Sequence, residues 1–245
     1  MKWRVLALVG IVACGSGGDK SPDGGADAHA DVHIEDDAAA MDSPGMCGPV
    51  DVTGFQPTTL VPPNAPHQNK CTSQQTSDYA QCQAAKNTSL CKQFADGQSG
   101  QACRQCIETQ ASDQRWGVIV FQGTTSGTIN VEGCVDDALA QVPKEKENGG
   151  TGSCGDLLHS SYGCQEEACA ACSGDDAQSC IDDAVSGGCK SYDQAVQSGT
   201  GPCSALLGDA APAAASACFP DDTISDPTQR DVDWLTRIVG YMCGP

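Results

Sequence analysis

Two pairs of cysteines have the Cys-x-x-Cys spacing that supports thiol–disulfide exchange in some enzymes: Cys103 with Cys106, and Cys169 with Cys172. In such enzymes the first thiol lies at a helix N-terminus, where the helix dipole lowers the thiol pKa. The helix around the first pair is predicted to begin at 99–100, about one turn before Cys103, and no strand is predicted before it. Cysteines three residues apart lie on the same side of a helix. We therefore predict structural disulfides from each cysteine to a different neighbour, with a redox-active pair as the alternative.

A second cysteine pattern matches the spacing of plant-type iron–sulfur sites. Cys164, Cys169 and Cys172 have this spacing, and Cys203 further along could supply a fourth ligand. Clusters of this kind are inserted in the cytosol, so an exported protein must cross the membrane already folded. Residues 2–4 read Lys-Trp-Arg and do not form the twin-arginine signal used for that route. We therefore predict no cluster.

Few histidines are available for metal or hydrolytic chemistry. His67 and His159 have no zinc-ligand spacing, and Ile107 and Ser173 stand where covalent haem attachment needs histidine. No Gly-x-Ser-x-Gly or His-Glu-x-x-His motif is present. Four pairs of adjacent aspartates lack the spacing of an EF-hand loop. We predict no catalytic residue, no cofactor and no metal, with His159→Ala as the first control for any hydrolysis.

The elements that would position these residues are mainly short helices. Gly, Ser and Asn residues bound predicted helices at 71–86, 88–95, 99–109, 135–142, 155–161, 176–185 and 192–198. The last helix begins at Asp226 as cap and Pro227 as first residue, with Gln229 in the capping-box position. An apolar stripe follows in it, at Trp234, Leu235, Ile238, Val239 and Met242, and Cys243 is predicted to attach it to the body.

One β-hairpin is predicted within this helical pattern. Two β-branched runs, 117–121 and 128–131, flank a Gly-containing loop. Local matches indicate two degenerate repeats. Each has a Tyr near a Cys, then a Cys-x-x-Cys pair, and then the pattern Cys-x-Asp-Asp-Ala-x, which lies at 134–139 in the first repeat and at 180–185 in the second. The hairpin would be an insertion in the first repeat. The polar, breaker-rich stretch 143–153 is a candidate sub-boundary between them.

Composition limits the class of protein. The chain has 245 residues, 17 cysteines, 4 Phe, 4 Tyr, 3 Trp and a formal charge of −19 at pH 7. This charge argues against nucleic acid as a partner, because phosphate binding needs clusters of Lys and Arg. A cysteine content this high with so few aromatic residues is typical of exported chains stabilised by disulfides, since cytosolic thiols stay reduced.

The N-terminal residues have the pattern of a secretory signal peptide, predicted at 1–13. Lys2 and Arg4 precede an apolar stretch at 5–13 that is too short to span a bilayer. The stretch ends Ile-Val-Ala before Cys14 and resembles a bacterial lipobox. The resemblance implies cleavage before Cys14, a diacylglyceryl thioether on its sulfur and acylation of the new amino group. Two or more acyl chains give stable membrane attachment.

The residues after Cys14 predict a tether followed by one disulfide-bonded domain, which we call the body. Residues 15–46 carry a charge of −7 and few apolar side chains, so 14–46 are predicted to be a lipidated cysteine with a disordered acidic tether. The other 16 cysteines all lie in 47–245, an even number that predicts eight disulfides. Gly15, rather than an acidic residue, resembles lipoproteins that are delivered to the outer membrane.

Several motifs recur together in one known group of chains. They are the lipobox, the acidic tether, Ala-Cys-x-x-Cys-Ile at 102–107, Trp-Gly at 116–117, Gly-Cys at 133–134, and Tyr-Gly-Cys at 162–164 followed by Ala-Cys-x-x-Cys at 168–172. With these motifs the chain resembles the cysteine-rich lipoproteins of myxobacterial type. The resemblance implies secretion and lipid anchoring, and it carries over no activity.

The sequence therefore predicts a mainly α, disulfide-rich domain at 47–245 with one β-hairpin insertion. We expect a membrane-anchored lipoprotein of the cell envelope, at the outer membrane, that acts as a non-catalytic binding, adhesion or structural module. Its expected partners are the membrane, through the lipid on Cys14, and a protein or an envelope polymer. The alternative is an envelope enzyme, either a thiol–disulfide oxidoreductase or a hydrolase without a recognisable motif.

Overall fold

The structure is a computed structural model that describes residues 47–96, 98–123, 126–140, 152–173, 175–207 and 213–245. The predicted signal peptide, Cys14 and the tether lie outside the described residues, as does the candidate sub-boundary except for 152 and 153. None of the helices in the described part of the chain combines the length and hydropathy that a membrane span requires.

The described chain is mainly helical, which confirms the predicted fold class. Its helices are α1 (Ser73–Gln83), α2 (Thr88–Asp96), α3 (Gln98–Ile107), α4 (Val131–Ala140), α5 (Cys154–Ala168), α6 (Asp175–Ser186), α7 (Lys190–Val196), α8 (Ser204–Leu207), α9 (Ala213–Ser216) and α10 (Pro227–Cys243). The short helices α8 and α9 were not predicted, and α5 continues beyond its predicted end at 161. As predicted, Asp226 caps α10 by accepting a hydrogen bond from the backbone N–H of Gln229, at 2.7 Å.

A small sheet contains the predicted hairpin and one further strand. Its strands are β1 (Glu108–Gln110), β2 (Ile119–Gln122) and β3 (Ser126–Ile129), in the order β1-β2-β3. β2 and β3 are antiparallel, with Ile119 opposite Ile129, whereas β1 is parallel to β2. The prediction of helix through 109 is wrong at its end. Thr109 turns into the sheet, where its hydroxyl accepts a hydrogen bond from the backbone N–H of Gly117 at 2.9 Å.

Buried side chains form two clusters that meet along α5. The larger cluster contains the sheet, the faces of α1, α3 and α4, and the whole predicted apolar stripe of α10. Trp234 in that stripe is 2% exposed, and its indole N–H donates to the carbonyl oxygen of Cys218 at 3.0 Å. The smaller cluster lies between the C-terminal half of α5 and α6, and includes Val52, Ile181 and Ala184. Leu158 belongs to the first cluster and Cys164 to the second, so α5 connects the two.

All 16 cysteines of the body are paired, which confirms the predicted number of bridges. The disulfides are Cys47–Cys172, Cys71–Cys103, Cys82–Cys91, Cys106–Cys243, Cys134–Cys218, Cys154–Cys203, Cys164–Cys189 and Cys169–Cys180. Their Cα–Cα distances run from 4.6 to 5.9 Å, the ordinary range for a disulfide. Cys47 and Cys243 are both bridged, so each end of the described chain is covalently attached to the core.

The two repeat units have different disulfide patterns. Cys134 of the first unit pairs with Cys218, near α9, whereas its counterpart Cys180 pairs with Cys169 inside the second unit. The local sequence likeness therefore does not extend to the way the two units are joined to the rest of the body.

Candidate functional site

Helices α4 and α5 approach each other closely at Gly155. A Cβ atom at this position would lie 2.6 Å from the carbonyl oxygen of Glu132 and 2.6 Å from the Cβ of Asp136. It would also lie 2.9 Å from the side chain of Leu60. Residues four apart share one face of a helix. The contact therefore places the α5 face that carries Gly155 and His159 against the α4 face that carries Glu132.

Side-chain caps determine where both helices begin. At α5, Ser153 Oγ accepts from the backbone N–H of Asp156 at 3.1 Å, and the Asp156 carboxylate accepts from that of Ser153 at 3.0 Å. At α4, the Asn130 side-chain oxygen accepts from the backbone N–H of Gly133 at 2.9 Å. The amide nitrogen of Asn130 donates to the carbonyl oxygen of Gly117 at 3.0 Å, which attaches the start of α4 to the sheet region.

His159 lies between a carboxylate and a hydroxyl group. Its Nδ1 is 3.2 Å from Glu132 Oε1, and its Nε2 is 2.9 Å from Thr58 Oγ1. Because a carboxylate only accepts hydrogen bonds, Nδ1 carries a proton and donates it to Glu132. In the neutral imidazole Nε2 is then an acceptor, so the Thr58 hydroxyl donates to it. Glu132, His159 and Thr58 come from α4, α5 and the segment before α1; we call them the His159 centre.

Thr58 is placed by the segment before α1, which runs antiparallel to α5. The backbone N–H of Val50 donates to the carbonyl oxygen of Ala168 at 2.8 Å. Further along, the ring of Phe55 lies over Gly163, where an added Cβ would be 3.3 Å from it. Thr58 then reaches His159, one turn of helix closer to the start of α5. The disulfide from Cys47 to Cys172 and these contacts hold the segment in place.

The indole ring of Trp116 packs beside the His159 centre. Its ring centroid is 6.1 Å from that of His159, at an interplanar angle of 63°. The backbone N–H of Trp116 donates to the carbonyl oxygen of Pro62 at 3.0 Å, and its own carbonyl oxygen accepts from the N–H of Asn64 at 2.7 Å. The chain just after Thr58 is thereby attached to the chain just before β2.

The surroundings of His159 are acidic and favour its charged form. The hydrogen bond to Glu132 raises the pKa of His159 above its ordinary value of 6.5, although partial burial acts in the opposite direction. The negative charges of Glu132, Glu166 and Asp156 raise this pKa further. Burial and the charge of Glu132 also raise the pKa of Tyr162, one turn further along α5, so its phenol stays protonated at neutral pH.

The other histidine of the body has a different position. The ring of His67 packs edge-on against Tyr241, at a centroid distance of 5.2 Å, and its Nδ1 lies 3.2 Å from the carbonyl oxygen of Pro245. The Tyr241 hydroxyl donates to Asp137 at 2.7 Å. These contacts join the chain before α1 to the end of α10 and to α4. Within the described ranges, no three His, Cys, Asp or Glu side chains come together as a metal site.

The cysteines of both Cys-x-x-Cys pairs are bonded to sulfurs outside their own pair. Cys103 is bonded to Cys71 in the chain before α1, and Cys106 to the end of α10. Cys169 is bonded to Cys180 in α6, and Cys172 to the start of the described chain. Cys164 and Cys203, from the iron–sulfur spacing, are each in a further disulfide. Each pair thus joins one helix end to two separate segments.

A polar groove of about 450 Å³ lies between α1 and the first half of α10. Hydroxyl and amide side chains line it, from Ser77, Gln81, Thr228, Gln229 and Thr236. Its two carboxylates already have partners. Asp226 caps α10, and Asp233 accepts a hydrogen bond from Arg237 at 2.8 Å. The groove therefore offers hydroxyl and amide groups to a ligand, beside the negative charge of Asp226.

Neither Thr58 nor Glu132 is a candidate in the sequence, because no local pattern connects them to His159. They lie 101 and 27 residues away from it along the chain. A glycine four residues before a histidine in a predicted helix is consistent with a close packing contact, but it does not identify the partner helix. No protein family, curated protein or solved structure matches this chain.

Proposed function

We propose that this protein is a lipid-anchored lipoprotein of the cell envelope whose disulfide-stapled body is a binding or structural module. In this proposal the lipid on Cys14 holds the chain to the outer membrane. The acidic tether at 15–46 then separates the body from the membrane surface. The body presents a permanent, covalently stabilised shape to a protein or an envelope polymer.

The observation that carries the proposal is the set of eight disulfides. They indicate an oxidising, extracytoplasmic environment, because cytosolic reductants keep thiols reduced. They also attach both ends of the described chain, at Cys47 and Cys243, to its interior. A fold stabilised by disulfides resists unfolding outside the cell, so a binding surface on it keeps its shape.

The surface supports a partner that is not a nucleic acid. Residues 47–245 carry 24 acidic and 10 basic residues, a net charge of −14. Phosphate backbones are repelled by such a charge. The polar groove between α1 and α10 is lined mainly by hydroxyl and amide groups together with the carboxylates of Asp226 and Asp233, which suits a partner that donates hydrogen bonds, such as a polyhydroxylated polymer or a polar protein segment.

The disulfide pattern favours a structural rather than a redox role for the cysteines. An exchange enzyme cycles between a dithiol and a disulfide formed within its own pair. Here Cys103 and Cys106 would each have to break a bond to a different segment before they could pair with one another. Both sulfurs are also buried, with these residues 0% and 4% exposed, so an attacking thiolate has no direct access.

Alkylation of the purified, unreduced protein followed by intact-mass measurement tests this assignment. We expect no label on any of the 16 cysteines of the body. Labelling of both cysteines of one Cys-x-x-Cys pair would show that the pair is free, and it would favour the oxidoreductase alternative.

Metabolic labelling with a fatty-acid analogue tests the anchor. The full chain should take up the label and fractionate with membranes, whereas Cys14→Ser should lose both properties. Cys47→Ser is the matched control, since it removes a cysteine close to the tether and leaves the lipobox intact. An unlabelled full chain, or equal labelling of Cys14→Ser, would overturn the proposal of a lipid anchor.

Crosslinking on intact cells, followed by recovery of the full chain, tests the binding role. We expect a recurrent envelope component that the reduced and alkylated protein does not retain, because reduction removes the folded surface. Recovery of the same components with folded and with reduced protein would argue against a specific binding module.

A further inference from the structure

We infer that Thr58, His159 and Glu132 form a nucleophilic centre that transfers acyl groups from carboxylic esters to water. This inference goes beyond the proposed anchoring and binding role, and it departs from the sequence prediction of a module without catalytic residues. In it Thr58 is the nucleophile, His159 the general base and Glu132 the residue that positions the base.

The three side chains have the connectivity that nucleophilic catalysis requires. A hydroxyl is a weak nucleophile until a base accepts its proton, and the base must be held in the correct tautomer by a third group. Thr58 Oγ1 lies 2.9 Å from His159 Nε2, within reach of direct proton transfer. The 3.2 Å contact of Nδ1 with Glu132 keeps the proton on Nδ1 and leaves the Nε2 lone pair directed at the hydroxyl.

The nucleophile is the most exposed of the three groups, and the two residues behind it are largely buried. Thr58 is exposed, so an ester can reach its oxygen. The His159 side chain is 15% exposed and that of Glu132 is 14% exposed, so the ion pair that forms during the reaction lies behind the nucleophile. A charge pair that is partly shielded from water interacts more strongly than one in bulk solvent.

The reaction proceeds in two steps, acylation of Thr58 and hydrolysis of the acyl-threonine. Thr58 Oγ attacks the ester carbonyl carbon while its proton moves to His159 Nε2. The C–O bond to the leaving group then breaks, and the leaving oxygen takes the proton from Nε2. Water next attacks the acylated threonine, gives one proton to Nε2, and releases the carboxylic acid as the proton returns to Thr58 Oγ. The net reaction is ester plus water to acid plus alcohol.

The preferred substrates are esters with an aromatic or apolar leaving group. The Trp116 ring lies 6.1 Å from the His159 ring and places an aromatic surface next to the centre. A phenolate leaves easily, so a phenyl ester depends less on added stabilisation of the oxyanion than an alkyl ester does. p-Nitrophenyl acetate is therefore the probe for the first test.

The test measures p-nitrophenol release by the full, oxidised chain, together with peptide mass mapping of samples quenched in acid. We expect one acetyl group on Thr58, and a loss of about 10²-fold or more in rate for His159→Gln, the typical contribution of a general base. Thr58→Val removes the nucleophile and should lose at least as much. Thr59→Val is the matched control, because Thr59 is also exposed and adjacent. It should keep the full rate.

A pH profile distinguishes catalysis from a structural role. The rate should rise with pH through the raised pKa of His159, since only the neutral imidazole accepts a proton. In Glu132→Gln the inflection should move to lower pH while the maximum rate falls, because the carboxylate no longer stabilises the imidazolium. Unchanged hydrolysis in Thr58→Val, acetylation confined to lysines, or a rate no higher than that of free imidazole would overturn the inference. None of these results depends on the lipid anchor.

Discussion

At the scale of single residues, protonation of His159 links pH to the stability of the fold. The charged imidazolium ring of His159 donates a hydrogen bond to the carboxylate of Glu132. This contact favours the charged ring, so the pKa of His159 in the folded protein exceeds the ordinary value of 6.5. Between these two values the folded state binds more protons than the unfolded state. Stability from this pair is therefore complete below about pH 6.5 and is lost as the pH rises through the folded pKa.

We predict that Glu132→Gln flattens this dependence. The difference in free energy of unfolding between the native chain and the variant should be largest below about pH 6.5 and should shrink as the pH rises through the folded pKa of His159, above which the ring is neutral. Chemical denaturation with the disulfides intact, repeated across this range, measures the difference.

Asp136→Asn is the control for this prediction. Asp136 lies one turn from Glu132 on α4, and it does not contribute to the pKa shift of His159. Because Asp136 also raises the pKa of its neighbour Asp137, the readout for this variant is NMR titration of His159, which should be unchanged. If the difference in free energy of unfolding between the native chain and Glu132→Gln stayed constant with pH, the contact of Glu132 with His159 would not depend on protonation of the ring.

At the scale of elements, the approach of α4 to α5 depends on the missing side chain of Gly155. We predict that Gly155→Ala lowers the free energy of unfolding by about 1–3 kcal/mol, the usual range for overpacking, since backbone of α4 blocks the added methyl group. The substitution should also weaken the contact of His159 with Glu132, and NMR titration should then show a lower pKa for His159.

Gly240→Ala on α10 tests the same substitution without the steric conflict. Apart from the adjoining backbone of α10 itself, no atom lies within 4 Å of a Cβ built at Gly240. We expect this variant to be more stable by about 0.5–1 kcal/mol, the cost of glycine within a helix. If both variants changed stability equally, helix propensity rather than packing would explain the effect at Gly155.

At the scale of the whole molecule, the disulfides differ in how much of the chain each one closes. The bridge between Cys106 and Cys243 spans 137 residues and holds the end of α10 against α3, whereas that between Cys82 and Cys91 spans 9. A bridge that closes a longer loop removes more conformational entropy from the unfolded chain.

We predict that removing the long bridge costs more stability than removing the short one. Denaturation of the double variant Cys106→Ala/Cys243→Ala should show a free energy of unfolding lower by about 1–2 kcal/mol than that of Cys82→Ala/Cys91→Ala, a difference reduced by the bridges that remain. Equal losses would show that the remaining bridges already restrict the long loop.

Much of the fold was predictable because its signals are local. Capping residues and breakers located the main helices, and the spacing of apolar residues identified the buried face of α10. The hairpin followed from its β-branched runs and Gly-containing loop. β1 was not predictable, because Glu108 and Thr109 extend the pattern of α3 and leave the helix only where the sheet supplies hydrogen bonds.

The amino-acid sequence by itself determined the class of this protein: the even number of body cysteines, their eight bridges and the helical elements all follow from residue type and local spacing. Which cysteines pair, and that Thr58 and Glu132 meet at His159, only the tertiary structure decided. These partners are far apart along the chain. Their contacts depend on the packing of α4 against α5 and on the path of the segment before α1, which no local pattern of residues encodes.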